Sequence, residues 1–291
     1  MKIAVTGVSG FIGLHLTPKL SEIDNAEIYP FDKKKHSLFN TESLKDFVEN
    51  KDVIIHLAGL LTSENTSDFY TLNSIGTLNL LGAISRYGKS GVHFIFPSSF
   101  AVYKEISQKK LLDEEKTKTI PRNHYGMSKL FAEEIIKFYN RNNQIKTGIL
   151  RLANVYGPGT KQLNTSVTAS FIEKIAHNEK IIVNGDGKQM RDFIYISDVV
   201  NAFIKTINYQ KESFLLVNIC SGKEITIIDL IRRIEKIMGK KAIIEYNRKC
   251  LEKGYFIGNN KSAFEKINFK PKIDFEAGLR KTISQYLTNS K

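Results

Sequence analysis

The chain has 291 residues, 42% of them apolar and 25% charged, with no low-complexity tract. That composition excludes disordered and fibrous architectures, and the length suffices for one large domain or two lobes with a buried core. The formal net charge is +13, but the basic residues are scattered; the densest run, Lys33-Lys34-Lys35, has no interleaved aromatic residue and reads as a solvated surface, not a nucleic-acid footprint.

The two cysteines, Cys220 and Cys250, lie far apart with no Cys-x-x-Cys pair and no histidine cluster. This spacing argues against a disulfide framework or a metal site and predicts ordinary thiols in a reducing cytoplasm. No run approaches the roughly 18 apolar residues that span a bilayer, so no membrane association is expected. The opening Met1-Lys2-Ile3-Ala4-Val5-Thr6-Gly7 reads as a first strand, not as a signal peptide.

In chain order, β-branched runs predict strands at Ile3–Thr6, Glu27–Phe31, Val53–Leu57, His93–Pro97 and Thr147–Leu152. Helical periodicity predicts helices over Ile12–Ile23, Thr41–Glu49, Ser67–Tyr87 and Ser128–Asn140 between them. This alternation specifies an α/β fold with a doubly wound parallel sheet, whose ligands sit beyond the carboxyl ends of the strands. After Arg151 the glycine- and proline-rich loops Tyr156-Gly157-Pro158-Gly159 and Asn184-Gly185-Asp186-Gly187 mark a less regular region. It carries predicted helices near Thr168–His177, Val199–Asn208, Thr226–Met238 and Phe275–Leu287, and no Ser/Gly linker separates it from the first part. The expectation is two lobes: residues 1–155 with about 190–220 binding a dinucleotide, and 156–190 with 221–291 forming a smaller mixed α/β substrate lobe.

Gly7, Gly10 and Gly13, with Phe11 and Ile12 among them, follow the first strand and open a helix. Glycines at this point let backbone approach a pyrophosphate whose charge rests on free N–H groups at the helix start. Asp32 ends the next strand at the separation expected of a ribose-binding acid, which favours NAD and ranks NADP second; Lys33 and Lys34 pull the other way.

Tyr125 and Lys129 are four apart, so their side chains share one helix face. A phenol is a poor base at neutral pH, and a neighbouring ammonium together with a positive nicotinamide ring is expected to lower its pKa enough to take a hydroxyl proton. The glycine spacing, together with Ile54-Ile55-His56-Leu57-Ala58-Gly59-Leu60, Asn73-Ser74-Ile75-Gly76-Thr77, Pro97-Ser98-Ser99-Phe100-Ala101-Val102-Tyr103, Tyr125-Gly126-Met127-Ser128-Lys129, Leu150-Arg151-Leu152-Ala153-Asn154-Val155-Tyr156-Gly157-Pro158 and Gly185-Asp186-Gly187-Lys188-Gln189-Met190-Arg191-Asp192-Phe193, resembles the extended short-chain dehydrogenase/reductase superfamily and its NAD-dependent epimerase/dehydratase branch. The resemblance covers nearly the whole chain.

The resemblance implies a Rossmann sheet, a homodimer and a nucleotide-sugar substrate. It makes Ser99, Tyr125 and Lys129 catalytic, and adds Leu57, Ala58, Gly59 and Asn73 to the cofactor side. Ser99, Asn154, Arg191 and Arg248 fall on the substrate side, where guanidinium forks suit a diphosphate. His56 reads as a packed strand-end residue.

Departures from the family pattern narrow the reaction. The 4,6-dehydratases carry an Asp-Glu pair where this chain has Phe100-Ala101, neither of which transfers protons. The GDP-fucose synthase type needs a cysteine and a histidine where Ala101 and Ser166 stand. The aspartate usual before Lys261 is replaced within Gly258-Asn259-Asn260. The resemblance thus implies an NAD-dependent nucleotide-sugar 4-epimerase of UDP- or dTDP-hexoses, with transient oxidation at C4. A 4-ketoreductase is the alternative, favoured by the short stretch between Asp32 and Val53. A non-catalytic NAD-sensing or RNA-associated member is a third reading, opposed by the presence of both Tyr125 and Lys129.

Overall fold

Short β-branched and apolar runs build the main sheet, and a computed structural model of the chain describes residues 1–106, 109–143, 145–159, 166–249 and 254–289; Cys250 lies outside them. The first part runs β1 (Lys2–Thr6), α1 (Phe11–Leu20), β2 (Glu27–Pro30), α2 (Lys45–Val48), β3 (Val53–His56), α3 (Thr66–Phe69), α4 (Gly76–Tyr87), β4 (His93–Ser99), α5 (His124–Asn143) and β5 (Lys146–Leu152). The second part runs β6 (Asn154–Tyr156), α6 (Val167–His177), β7 (Lys180–Asn184), β8 (Met190–Arg191), β9 (Phe193–Tyr195), α7 (Ile196–Ile207), β10 (Phe214–Ile219), β11 (Ile225–Thr226), α8 (Ile227–Met238), β12 (Ile243–Asn247), β13 (Tyr255–Phe256), α9 (Lys261–Ile267) and α10 (Phe275–Asn289).

Six parallel strands pair in the order β10-β5-β4-β3-β1-β2. The period of two sorts their side chains onto two cores. Ile3, Val5, Val53, Ile55, Ile95 and Leu150 pack with Leu16 and Leu20 of α1 and with Val199 and Phe203 of α7. Ala4, Ile54, Phe94, Phe96 and Ile149 face the other way, onto Leu80, Leu81 and Ile84 of α4 and Ala132 and Ile136 of α5. Helices therefore cover both faces, as the alternation predicts.

In the main sheet and the helices along its first part, three elements differ from the sequence expectation. The sixth strand, β10, was not foreseen: its run Phe-Leu-Leu-Val-Asn-Ile is apolar without alternation, and periodicity cannot separate such a run from buried helix. The predicted helix Thr41–Glu49 is a 3-10 turn at Glu42–Leu44 followed by the single turn α2, so no strand intervenes between β2 and β3 and β2 is the sheet edge, where Pro30 is tolerated. The predicted helix Ser67–Tyr87 is interrupted by a π-helical turn, Tyr70–Ile75, between α3 and α4.

The rest of the second part is a smaller mixed α/β region. It holds a parallel pair β12-β7, a three-stranded sheet β11-β8-β13 and a pair β6-β9. Among the described residues no helix is long and apolar enough to cross a membrane.

His93 opens β4 at the end of the sheet remote from its carboxyl edge and is 4% exposed. Burial, followed by the Lys146 ammonium, holds its imidazole down at about 4. The unfolded chain takes up that proton near pH 6.5, so His93 is without effect above that pH and withdraws stability as pH falls towards 4, by about 3 kcal/mol at the acid end. Urea unfolding of His93→Leu at pH 7 and pH 4 should accordingly show a pH-dependent loss smaller than wild type by about 2–3 kcal/mol; equal losses in the two proteins would mean the imidazole charges freely in the native state.

Candidate functional site

After β1 the chain crosses to β2 on one side and then returns to β3 on the other, which opens a crevice at the carboxyl ends of β1 and β3. A cleft of about 760 Å³ lies there. Gly7, Gly10, Phe11, Ile12 and Gly13 line it on one side, with Leu57 and Gly59 from the end of β3. Ser99, Tyr125 and Lys129 line it together, and Asn154 and Arg191 face it from the second part.

The glycine loop is shaped by what a side chain would hit. Gly7 has φ +70°, and a Cβ there would stand 2.7 Å from both Ala58 N and Leu57 C; a Cβ on Gly13 would stand 2.3 Å from the Gly7 carbonyl. Gly10 caps α1 without a side-chain hydrogen bond, and the first turn of α1 carries no acidic residue. Bare N–H groups at a helix start with no anion nearby suit a pyrophosphate, so the loop fits the phosphate part of a dinucleotide.

At the end of β3, the Thr6 hydroxyl accepts from Ala58 N at 3.0 Å and meets His56 Nδ1 at 2.7 Å. His56 is fully buried beside the Phe94 and Phe96 rings; burial, then the Lys129 charge, holds it at about 3. It is a neutral packed residue, not an acid or base. Asn73 is 1% exposed and is not among the cleft-lining residues. Its amide exchanges bonds with Leu60 N and O at 2.8 and 3.1 Å and donates to Ser128 Oγ at 2.9 Å. The π turn carries the Asn73 side chain inward, where it ties the Leu57–Leu61 loop to α5.

The start of α5 is pressed onto the end of β4. A Cβ on Gly126 would lie 2.2 Å from the Ala101 carbonyl, and Asn123 Oδ1 accepts from Gly126 N at 2.8 Å. This close approach sets the Tyr125 phenol against Ser99, whose Oγ also accepts from Ala101 N at 3.1 Å. Burial raises the Tyr125 pKa above the ordinary 10, and the Ser99 hydrogen bond opposes it. Lys129 is not among the groups that shift it in the protein without cofactor. The reason is geometric: Lys129, 5% exposed, donates to the Pro97 carbonyl at 2.9 Å with its Nζ 4.4 Å above the Phe96 ring. Burial brings Lys129 down to about 8, and Glu133 acts against that fall.

On the opposite side, Arg191 Nη1 donates to the Met190 and Gly254 carbonyls at 3.0 and 2.8 Å, with its guanidinium 5.1 Å from the Phe256 ring centre. Asn154 Nδ2 donates to the Asp192 carbonyl at 2.9 Å. The Asp192 carboxylate, fully buried, accepts from Ser221 N, Ser221 Oγ, Gly222 N and Gly258 N. Burial pushes it up to about 6 while those donors hold it down. Four sequence candidates stand outside the cleft lining: Ala58, Asn73, Arg248 and Asp32. Arg248 is exposed on the turn after β12, and Asp32 is half-buried just past β2, its Oδ1 accepting from Lys34 N at 2.9 Å. Arg122, which the sequence reading passed over, lines the cleft just before Tyr125; the turn-forming Pro121 ahead of the helix was its sole signal.

A sequence profile of the NAD dependent epimerase/dehydratase family matches residues 3–220. A protein of Methanocaldococcus jannaschii to which UDP-glucose 4-epimerase activity is ascribed is 31% identical over 309 residues, covering 99% of this chain and 99% of its own. The GDP-6-deoxy-D-mannose reductase of Pseudomonas aeruginosa is 29% identical over 98% of this chain and 97% of its own. The structure of a tyrosine-to-phenylalanine mutant of Bacillus cereus UDP-glucuronic acid 4-epimerase, in complex with UDP-4-deoxy-4-fluoro-glucuronic acid and NAD, superposes with a TM-score of 0.88 at 25% identity, covering 99% of this chain and 100% of the other. With the glycine loop, the paired tyrosine and lysine and the doubly wound sheet in place, these matches settle the family: the chain belongs to the NAD-dependent epimerase/dehydratase family.

Proposed function

We propose that the protein is an NAD-dependent nucleotide-sugar 4-epimerase acting on a UDP- or dTDP-hexose. The observation that carries this reading is the convergence of Ser99, Tyr125 and Lys129 on the cleft between the glycine loop and Arg191. When bound, NAD supplies the hydride acceptor at C4 of the sugar and the donor for its return. Tyr125 takes the C4 hydroxyl proton and gives it back. Ser99, which lines the cleft beside that phenol, bonds the same sugar oxygen and keeps the proton path short. The Lys129 ammonium favours the phenolate electrostatically once positive charge also stands beside the ring. Arg191 and Asn154 hold the diphosphate, leaving the sugar free to turn. Phe100 and Ala101 offer no acid or base for elimination, which restricts the chemistry to one carbinol.

In this reading Asp32 selects NAD over NADP through the adenosine ribose, and residues 1–155 with about 190–220 form the cofactor lobe. A 4-ketoreductase remains the second reading, because β2 is an edge strand with no further strand beyond it and because a reductase is among the relatives.

Purification followed by turnover assays with UDP- and dTDP-hexoses tests the proposal: an epimerase interconverts them with no net use of reduced cofactor, whereas steady consumption of NADH or NADPH would make the protein a reductase. Tyr125→Phe should lower kcat at least roughly a hundredfold while leaving NAD affinity close to wild type. Retention of more than about a tenth of kcat removes Tyr125 from the proton-transfer role.

Lys129 carries a second consequence. Its pKa of about 8 in the folded chain lies below the value of about 10.4 in the unfolded chain. The charged lysine therefore costs stability at every pH below about 8, and the cost fades as pH rises to about 10.4, with a ceiling of about 3 kcal/mol. Lys129→Met, which also leaves the Pro97 carbonyl without its donor, should raise the unfolding free energy at pH 7 by about 1–2 kcal/mol while abolishing turnover. A Lys129→Met variant less stable than wild type at pH 7 would overturn this account of the lysine's burial.

We also propose that the protein is a homodimer. α4 and α5 pack side by side, and Ile75, Leu78, Phe131 and Phe138 on or beside them are 40–54% exposed, an apolar face suited to its own copy. Sedimentation should give a dimer for the wild type and a monomer for Phe131→Glu; a monomeric wild type at micromolar concentration ends this part of the proposal.

A further inference from the structure

Tyr125, Lys129 and Glu133 follow one another at intervals of four along α5, one stripe facing the sheet. Glu133 is fully buried, and Arg151 of β5, itself 1% exposed, grips it through two parallel bonds: Nε to Oε1 at 2.9 Å and Nη2 to Oε2 at 2.6 Å. Ser98 Oγ donates to Oε1 at 2.5 Å. Ser98 lies between Pro97, whose carbonyl seats Lys129, and Ser99, which meets Tyr125. Arg151 in turn stands 4.7 Å from the Tyr103 ring centre, and the Tyr103 hydroxyl donates to Asn218 Oδ1 at 2.7 Å.

Burying two charges is costly, and an apolar pair of equal volume stabilises a fold at least as well. The ion pair is thus not explained by stability, and its carboxylate stands one helical turn from a second buried cation. We propose that Glu133, gripped by Arg151 and Ser98, is a positioning residue for the reaction: it holds the Lys129 ammonium on the Pro97 carbonyl. The inference rests on the role given to Lys129 above.

The groups around Lys129 leave the carboxylate without a rival. From β3 comes His56, neutral in its apolar setting. From β4 come the Phe96 ring and the Pro97 carbonyl. The π turn contributes the neutral amide of Asn73, close to Lys129 across Gly59. Arg151 is paired with Glu133, and burial raises the Tyr125 phenol. Against the burial that draws the lysine down, Glu133 is the opposing charge.

The titration of Lys129 can be read directly in the protein without cofactor, from the 13Cε signal of lysine-labelled protein, assigned by its loss in Lys129→Met. The wild-type midpoint should fall near 8. Glu133→Gln should lower it by on the order of one pH unit, and Glu133→Asp, which keeps the charge, should recover most of that shift. If Glu133→Gln fails to fold, the paired exchange Glu133→Gln with Arg151→Met should lower the midpoint in the same direction by less, since a cation is lost with the carboxylate. A midpoint that stays within about 0.2 unit of wild type in the uncharged variants overturns the proposal. The alkaline limb of the kcat profile should move with the midpoint; a limb that stays in place while the midpoint moves separates Glu133 from the reaction and also overturns it. Neither result bears on Tyr125→Phe, so the proposed function is judged separately.

Discussion

The site is organised around an ammonium that its surroundings oppose. Lys129 is almost wholly buried between α5 and the carboxyl end of β4, where desolvation penalises the charged form. Three things hold it there: the Pro97 carbonyl, the Phe96 ring and the Glu133 carboxylate one turn further along α5. Each depends on α5 lying tight against β4 and β5, and that approach depends on Gly126 fitting under the Ala101 carbonyl. The geometry that delivers Tyr125 to Ser99 is thus the same packing that buries the lysine.

The doubly wound sheet and the glycine loop were legible in the sequence because each rests on local chemistry: alternating β and helical periods, and glycines where backbone meets backbone. The Tyr125–Lys129 spacing was legible for the same reason. What escaped were features set by tertiary contact. β10 is an apolar run whose strand character comes from pairing with β5. The π turn at Tyr70–Ile75 adds no unusual residue to the sequence, yet it rotates Asn73 inward to brace the Leu57–Leu61 loop. Arg151 lay within a recognised motif, but nothing in the one-dimensional pattern says that it pairs with Glu133.

The second part of the chain is tied to the sheet by a buried anion of another kind. Asp192 gathers donors from Ser221 and Gly222 after β10 and from Gly258 after β13, while its own carbonyl accepts from Asn154 after β5. One residue earlier, Arg191 is fixed by the Met190 and Gly254 carbonyls and by Phe256. An arginine whose stem and part of whose fork are already committed loses little freedom on meeting a phosphate. The rigidity of the substrate side therefore derives from Asp192, which lies behind the cleft wall and braces Asn154 within it.

Burial acts on the two titrating residues of the site in opposite senses of pKa but the same sense of charge. It raises the Tyr125 phenol and lowers the Lys129 ammonium, so each is drawn towards its neutral form. With the lysine seated on the Pro97 carbonyl, Ser99 is the group that opposes burial at the phenol in the protein without cofactor. The base is consequently weak until a positive charge comes to rest beside the ring, as an oxidised nicotinamide does. That same charge works against the ammonium of Lys129, and a fixed carboxylate behind the lysine is what allows the two cations to coexist. The buried pair of Glu133 and Arg151 supplies such a carboxylate without adding net charge to the core, which gives a physical reason for an ion pair where an apolar contact would have served the fold alone.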